Sequence, residues 1–366
     1  MNTKKEINKK TPSIYLAGDS TVKTYEQEVF ISGWGQFLDS FLSEEIKVVN
    51  CSNGGRSSRM FNYEGRLINI KDDEFKYSFT QNEGKSIEDC IQKGDYLFIQ
   101  FCHNDDETYL VNGYQTMVER MVPLGQVDQN EKFEIKPGNK VSTKHLPKYY
   151  LDHATKEEIE NVLAVISEYG SEYYSYDCGG TYKWYLKQFV DFARSVEAIP
   201  VLVTPDARIN FDGDKIVGGN GCHGLNFEYV EAVRQLAIEE DCLLFDLFSE
   251  SVKIYETATK TYAKYLMSIV PKESNGLWPD DYDLMYGNPD KGFVRGESTH
   301  FNKFGAYLMA GKVIELISNN NHITKYNECL NFKENINNQP ITFIKPSNLI
   351  GKEEVNNIRK LYKNKI

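Results

Sequence analysis

The sequence has no excess of basic residues, no long apolar run and no cysteine pair at metal-ligand spacing. Its 42 Lys and Arg are outnumbered by 53 Asp and Glu, for a net charge of -11. A nucleic-acid binder would ordinarily carry a basic face, and an anionic membrane would repel this chain. No stretch approaches the length of a transmembrane helix. The N-terminal MNTKKEINKKTPS is polar and basic without an apolar core, which predicts no secretion signal and a cytoplasmic protein. The seven cysteines, Cys51, Cys90, Cys102, Cys178, Cys222, Cys242 and Cys329, are odd in number and lack any CxxC pair. Reduced thiols are therefore expected, not a disulfide framework. His153, Cys178, Cys222 and His223 are too scattered to suggest zinc, so no metal and no cofactor is expected. No internal repeat and no flexible linker divides the chain.

What is present is ordinary globular material, 40% hydrophobic and 26% charged over 366 residues, enough to bury a substantial core. Short β-branched runs occur at Ile14–Ala17, Ile46–Asn50, Tyr96–Phe101, Pro200–Thr204 and Leu243–Leu247. Each is nearly continuously apolar, as in parallel strands covered on both faces. Helical patterns fall between and after them, at Gly35–Leu42, Ser86–Gln92, Tyr182–Glu197, Phe227–Glu240 and Lys303–Ile317. This alternation predicts an α/β fold with a central parallel sheet between helices. Ligands in such sheets bind outside the carboxyl ends of the strands. Ser20, Gly55 and Asn104 each follow one of the first three predicted strands.

The segment from about 107 to 176 breaks the rhythm and reads as an inserted small helical subdomain. Its helix signal is "TKEEIENVLAVISEYG", where Thr155 and Glu158 have capping-box spacing, Ile159, Val162, Leu163 and Ile166 form an apolar stripe, and Gly170 suits the stop. Tyr169, Tyr173, Tyr174 and Tyr176 offer either a sugar-stacking wall or packing and dimer contacts. The main domain is expected over 11–319, with 320–366 an extension carrying one more helix at Glu353–Tyr362.

Serine-based ester hydrolysis needs a nucleophile, a base, a group that orients the base, and donors for the oxyanion. Ser20 in "AGDSTV" supplies a hydroxyl just past a strand, with Asp19 beside it. His300 in "GESTHFNKFGA" is the base candidate, placed between a polar loop and a helix. Glu297, three residues earlier, offers the orienting carboxylate, with Asp290 as an alternative acid. Gly55 in "NGGRSSRMF" offers a backbone N–H. Asn104 in "QFCHNDD" offers an amide N–H that donates without losing a proton.

These four blocks resemble the SGNH (GDSL-like) hydrolases, and within them the rhamnogalacturonan acetylesterase group. The specific marks are "GDST", "GWGQFL", "GGRSSRMFNYEGRL", "GDYLFIQFCHND", "PVLVTPDAR" and "THFNKFGA". The resemblance covers most of Ser13–Ile317 apart from the insertion. It implies a three-layer α/β/α sandwich like flavodoxin and a metal-free serine esterase. Ser20 and His300 would act with Glu297, and the Ser20 N–H, the Gly55 N–H and Asn104 would hold the oxyanion. The implied partner is an acetylated pectic oligosaccharide. A homo-oligomer is left open. Glu297 stands where the group usually has aspartate, and Cys102 where it usually has glycine. His103 is read as a positioning residue. Arg56 and Arg59 are candidates for a galacturonate carboxylate or for loop anchoring, and Asp19 and His103 are further substrate-binding candidates. Two competing functions remain at this stage: a lipase or thioesterase with the insertion as lid, and an inactive carbohydrate-binding protein.

Overall fold

The computed structural model describes residues 11–25, 31–43, 45–69, 85–106, 122, 137–143, 155–169, 181–219, 225, 227–263, 266–271 and 293–319. The strands in chain order are β1 (Ile14–Gly18), β2 (Val48–Asn50), β3 (Tyr96–Gln100), β4 (Ile199–Val203), β5 (Phe211–Asp212), β6 (Lys215–Ile216), β7 (Leu243–Phe245), β8 (Met267–Pro271) and β9 (Phe293–Phe301). The helices are α1 (Ser58–Tyr63), α2 (Lys156–Tyr169), α3 (Tyr182–Ser195), α4 (Phe227–Glu239), α5 (Leu247–Ala263) and α6 (Lys303–Asn319), with a 3-10 helix at Trp34–Phe41.

Five of the strands form one sheet in the order β2-β1-β3-β4-β7, and every pairing in it is parallel. All residues of β1 and β3 are buried, as their continuous apolar sequence requires of a sheet covered on both sides. The chain steps from β1 to β2 in one direction and from β3 through β4 to β7 in the other. Right-handed crossovers then put the connections on opposite faces. The 3-10 helix covers one face and packs on α6, where Tyr307 meets Phe41 and Phe37 with ring centroids 4.8 and 5.8 Å apart. Helices α3 and α4 cover the other. Phe189 of α3 meets Phe101 and Phe61 at 5.1 and 5.8 Å, and Tyr182 stacks on Tyr229 of α4 at 5.0 Å. The result is the expected three-layer α/β/α sandwich. The reversal of direction falls between β1 and β3, the switch point where such sheets open a ligand crevice.

Several elements depart from the sequence pattern. The helix expected at Gly35–Leu42 is a 3-10 helix, because Gly35 lies hard against the β1 turn. A Cβ there would come within 2.5 Å of the Val22 carbonyl oxygen. Ser86–Gln92 forms turns in place of a helix. Asp89 takes the Ser86 N–H at 2.8 Å and Asp95 takes the Gln92 N–H at 2.9 Å, so side chains satisfy donors that a helix would use. Helix α5 and the β5–β6 and β8–β9 hairpins lie outside the elements read from the sequence. Helix α2 agrees with the helix expected in the insertion. The remainder of that insertion and the 320–366 extension with its expected helix lie outside the described residues. So does the tyrosine wall, where only the Tyr169 backbone is described. Among the described residues, no helix is long and apolar enough to cross a membrane.

Candidate active site

Strand β1 ends at Gly18, which packs so closely on β3 and the following turn that a Cβ would sit 2.9 Å from the Gln100 carbonyl oxygen. The turn after it is built by Asp19. Its carbonyl accepts the Val22 and Lys23 N–H groups at 3.3 and 3.1 Å. Its Oδ1 accepts the Thr21 N–H at 2.9 Å and the Thr21 hydroxyl at 3.0 Å. Tyr25 donates its hydroxyl to the Ser20 carbonyl at 3.1 Å. Ser20 is thus held at the apex of a turn fixed on both sides. Its Oγ lies 2.8 Å from His300 Nε2, across 280 residues of chain.

His300 arrives on β9, a strand where the sequence suggested the junction of a polar loop and a helix. Between Met267–Phe301 and Ile269–Gly296, two steps along β8 answer to five along β9. The extra residues, including Glu297 and His300, bulge from the hairpin, a device that re-aims side chains at sites. Asn302 anchors the end of the strand. It donates its amide to the Met267 carbonyl at 3.1 Å and accepts the Gly305 N–H at 2.9 Å, at the start of α6. The Glu297 and Asp290 side chains lie outside the described residues.

The loop after β2 runs alongside β1, with the Asn53 N–H on the Gly18 carbonyl at 3.0 Å. Gly54 then passes Ser20 so closely that a Cβ on it would be 3.7 Å from the Ser20 Cβ. Gly55 turns at φ 75°, a setting that glycine takes without strain. Next, the Arg56 carbonyl accepts the Asn104 side-chain amide at 3.2 Å. Gly55 is therefore bracketed by a neighbour against Ser20 and a neighbour bonded to Asn104. Three of the expected blocks, and His300 from the fourth, come together at the carboxyl ends of β1, β2 and β3.

The remaining candidates face inward. Arg56 forks onto Glu64, with Nε at 3.0 and 3.1 Å from the two carboxylate oxygens, and reaches the Gly54 carbonyl at 2.9 Å. Arg59 is buried beside Asp105. Arg56 anchors the loop through these bonds, and Arg59 lies in the field of the buried Asp105 carboxylate. His103 is 2% exposed and sits over Asp206, with Nε2 3.5 Å from Oδ1. Arg208 donates its Nε–H to His103 Nδ1 at 3.3 Å. Asp19 is fully buried. Burial pushes its carboxyl pKa up, His103 and the Thr21 N–H pull it down, and Asp206 adds a further upward push. Its second carboxylate oxygen finds no hydrogen-bond partner among the described residues. Cys102 is fully buried as well, and burial with Asp106 and Asp105 nearby pushes its thiol well up. That suits a packing residue and not a nucleophile.

Sequence reasoning missed Asp105, Asp206 and Arg208 as parts of the site. Asp105 accepts the Ser58 N–H at 3.0 Å and the Ser58 hydroxyl at 2.5 Å, and so fastens the start of α1 behind the Gly55 turn. Burial raises its pKa to about 7, against the pull of the Ser58 bonds. The folded protein therefore keeps a proton that the unfolded chain releases from near 3.8 upward. Through this group, stability falls as pH rises from about 4 to about 7 and is level above that, a change on the order of a few kcal/mol. Asp105→Asn should remove this slope. Melting temperatures of both proteins across pH 4 to 8 check it. A wild-type-minus-variant difference that does not shrink with rising pH would refute the assignment.

No protein-family model matches the chain. It is 31% identical over 300 residues to the protein named "Probable rhamnogalacturonan acetylesterase YesY" of Bacillus subtilis, covering 81% of this chain and 88% of that one. It is 27% identical over 308 residues to the Bacillus subtilis rhamnogalacturonan acetylesterase RhgT, covering 84% and 90%. Among solved structures, Bacillus subtilis protein YxiM aligns with a TM-score of 0.45 at 19% identity, over 84% of this chain and 56% of that one. Both curated relatives align over most of their own length, and the chain belongs to the rhamnogalacturonan acetylesterase family.

Proposed function

We propose that this protein is a serine esterase that removes O-acetyl groups from pectic, rhamnogalacturonan-type oligosaccharides. The observation that carries this reading is the 2.8 Å contact between Ser20 Oγ and His300 Nε2 at the switch point of the sheet. The names of the curated relatives supply the substrate class.

In this mechanism His300 Nε2 takes the Ser20 proton as Oγ attacks the acetyl carbonyl. The carbonyl π electrons move onto oxygen, which is held by the Ser20 N–H, the Gly55 N–H and the Asn104 amide. One amide hydrogen of Asn104 is on the Arg56 carbonyl, and the other is left for the oxyanion. When the tetrahedral intermediate collapses, the C–O bond to the sugar breaks and His300 returns the proton to the leaving hydroxyl. Water then repeats the sequence on the acetyl-enzyme, releasing acetate and restoring Ser20. Glu297 orients His300 and stabilises the imidazolium. We place the protein in the cytoplasm, a setting that suits its free Cys51, Cys90, Cys102 and Cys242.

Acetate release should be fastest from acetylated rhamnogalacturonan oligosaccharides, slower from acetylated xylan, and should drop steeply across 4-nitrophenyl esters longer than acetyl. A preference for long acyl chains would make the protein a lipase or thioesterase. Binding of the oligosaccharide with no ester cleaved would make it a carbohydrate-binding protein.

A further inference from the structure

The loop after β4, Thr204–Asn210, touches both halves of the candidate site. Arg208 is 3% exposed. Its Nη2 donates to the His103 carbonyl at 2.8 Å and its Nε to the His103 ring at 3.3 Å. The His103 carbonyl belongs to the peptide bond that leads into Asn104, so the guanidinium fork fixes the plane from which the Asn104 side chain departs. The next residue, Ile209, donates its N–H to the Ser298 carbonyl at 3.0 Å, between Glu297 and His300 on the bulge of β9. The loop itself is pinned from below. Ala207 N–H bonds the Ser251 hydroxyl of α5 at 2.8 Å, and the Thr204 hydroxyl accepts the Phe248 N–H at 2.8 Å.

Cys102 holds φ 156°, at the edge of the region L-residues avoid, where the chain turns out of the sheet toward Asn104. Each carbonyl of this turn is held by a different donor. Tyr182 takes that of Phe101 at 2.7 Å, the Asp106 N–H takes that of Cys102 at 2.8 Å, and Arg208 takes that of His103. The Arg208 bond is the one closest to Asn104, and its donor comes from the same loop that bonds the His300 segment.

We infer that Arg208 is a positioning residue for the hydrolysis. It sets the Asn104 oxyanion donor, and with Ile209 it holds that donor at a fixed distance from the His300 base. The inference rests on the esterase reading above. Its described bonds go to His103, and its effect belongs in the transition state, where the Asn104 bond to the oxyanion forms. A lysine in its place keeps the charge but not the two-pronged fork.

The test is steady-state kinetics on 4-nitrophenyl acetate and on acetylated rhamnogalacturonan oligosaccharides, with Arg208→Ala and Arg208→Lys, after circular dichroism establishes which variants are folded. The expected result is a kcat lowered by about 10²-fold in Arg208→Ala, near the effect of losing one oxyanion donor. KM should stay within about threefold, since ground-state binding is not touched. Arg208→Lys should keep part of the lost rate. A wild-type kcat in a folded variant overturns the inference, and so does a raised KM at unchanged kcat, which would make Arg208 a substrate contact. Failure of both variants to fold overturns it in favour of a structural role. Ser20→Ala run beside them separates the two readings. Activity surviving in Ser20→Ala removes the esterase site, whereas an inert Ser20→Ala with an unaffected Arg208→Ala removes only this inference.

Discussion

Alanine in place of Ser20 is expected to lower kcat for acetyl ester hydrolysis by about 10⁴- to 10⁶-fold, the range found when a serine nucleophile is deleted from a triad. The size of the effect follows from the lack of a substitute. Nearby hydroxyls in the site are already engaged elsewhere. Thr21 donates to Asp19 at 3.0 Å and accepts from Gln100 at 2.8 Å. Ser57 caps α1 through the Met60 N–H at 3.2 Å, and Ser58 is bonded to Asp105 at 2.5 Å. Ser52 leans on the Leu16 carbonyl at 3.4 Å. None of these faces His300 in the way that Ser20 Oγ does at 2.8 Å. The turn should survive the substitution, because Asp19 and Thr21 build it and the Ser20 carbonyl still receives Tyr25. Loss of rate with an unchanged melting temperature is therefore the expected pair of readings. Retention of more than about a tenth of the rate would move the nucleophile elsewhere. A stoichiometric acetyl adduct on Ser20, seen by mass spectrometry after rapid acid quench of the wild type, is the positive counterpart.

How much of this was legible in the sequence differs by element. The strands β1, β3, β4 and β7 were readable because each is a nearly continuous apolar run, fully buried in β1 and β3 and half-buried at the edge in β7, with breaks at Gly, Pro or Asp. Ser20 and Asn104 were readable for the same reason, since each lies just past such a strand, and Gly55 because it follows the half-buried apolar run of β2. The β8–β9 hairpin was not. Its second strand, "FVRGESTHF", carries charges, a glycine and a bulge, and no alternation survives that. Arg59 was a candidate for a galacturonate carboxylate or for loop anchoring, and Arg208 was not singled out, because sequence shows charge without burial. Their partners, Asp105 and His103, are set by the tertiary fold, and the Arg208–His103 pair spans 105 residues. Helix α5 was obscured by threonines and by Thr259, which sits at φ 63° and ψ 163° and breaks its regularity.

Glutamine in place of Glu297 is the second large expected effect, a loss in kcat of roughly 10³- to 10⁴-fold with little change in KM. In a straight strand, residues three apart point to opposite faces, so Glu297 and His300 could not meet. The β9 bulge removes that obstacle, since five of its steps are taken up against two of β8. The Ile209 bond to the Ser298 carbonyl then pins the bulge between the two residues. With Nε2 turned to Ser20, the ring offers Nδ1 to an orienting carboxylate. Glutamine can present an N–H to that nitrogen and hold the wrong tautomer, and it cannot balance an imidazolium. In the proposed mechanism the extra methylene of Glu relative to the Asp usual in the resembled group would be taken up by the bulge. Glu297→Asp should therefore be impaired, by about tenfold, even though it restores the commoner residue. Asp290→Asn is the distinguishing arm. A near-wild-type kcat in Glu297→Gln together with a collapse in Asp290→Asn would give the orienting role to Asp290.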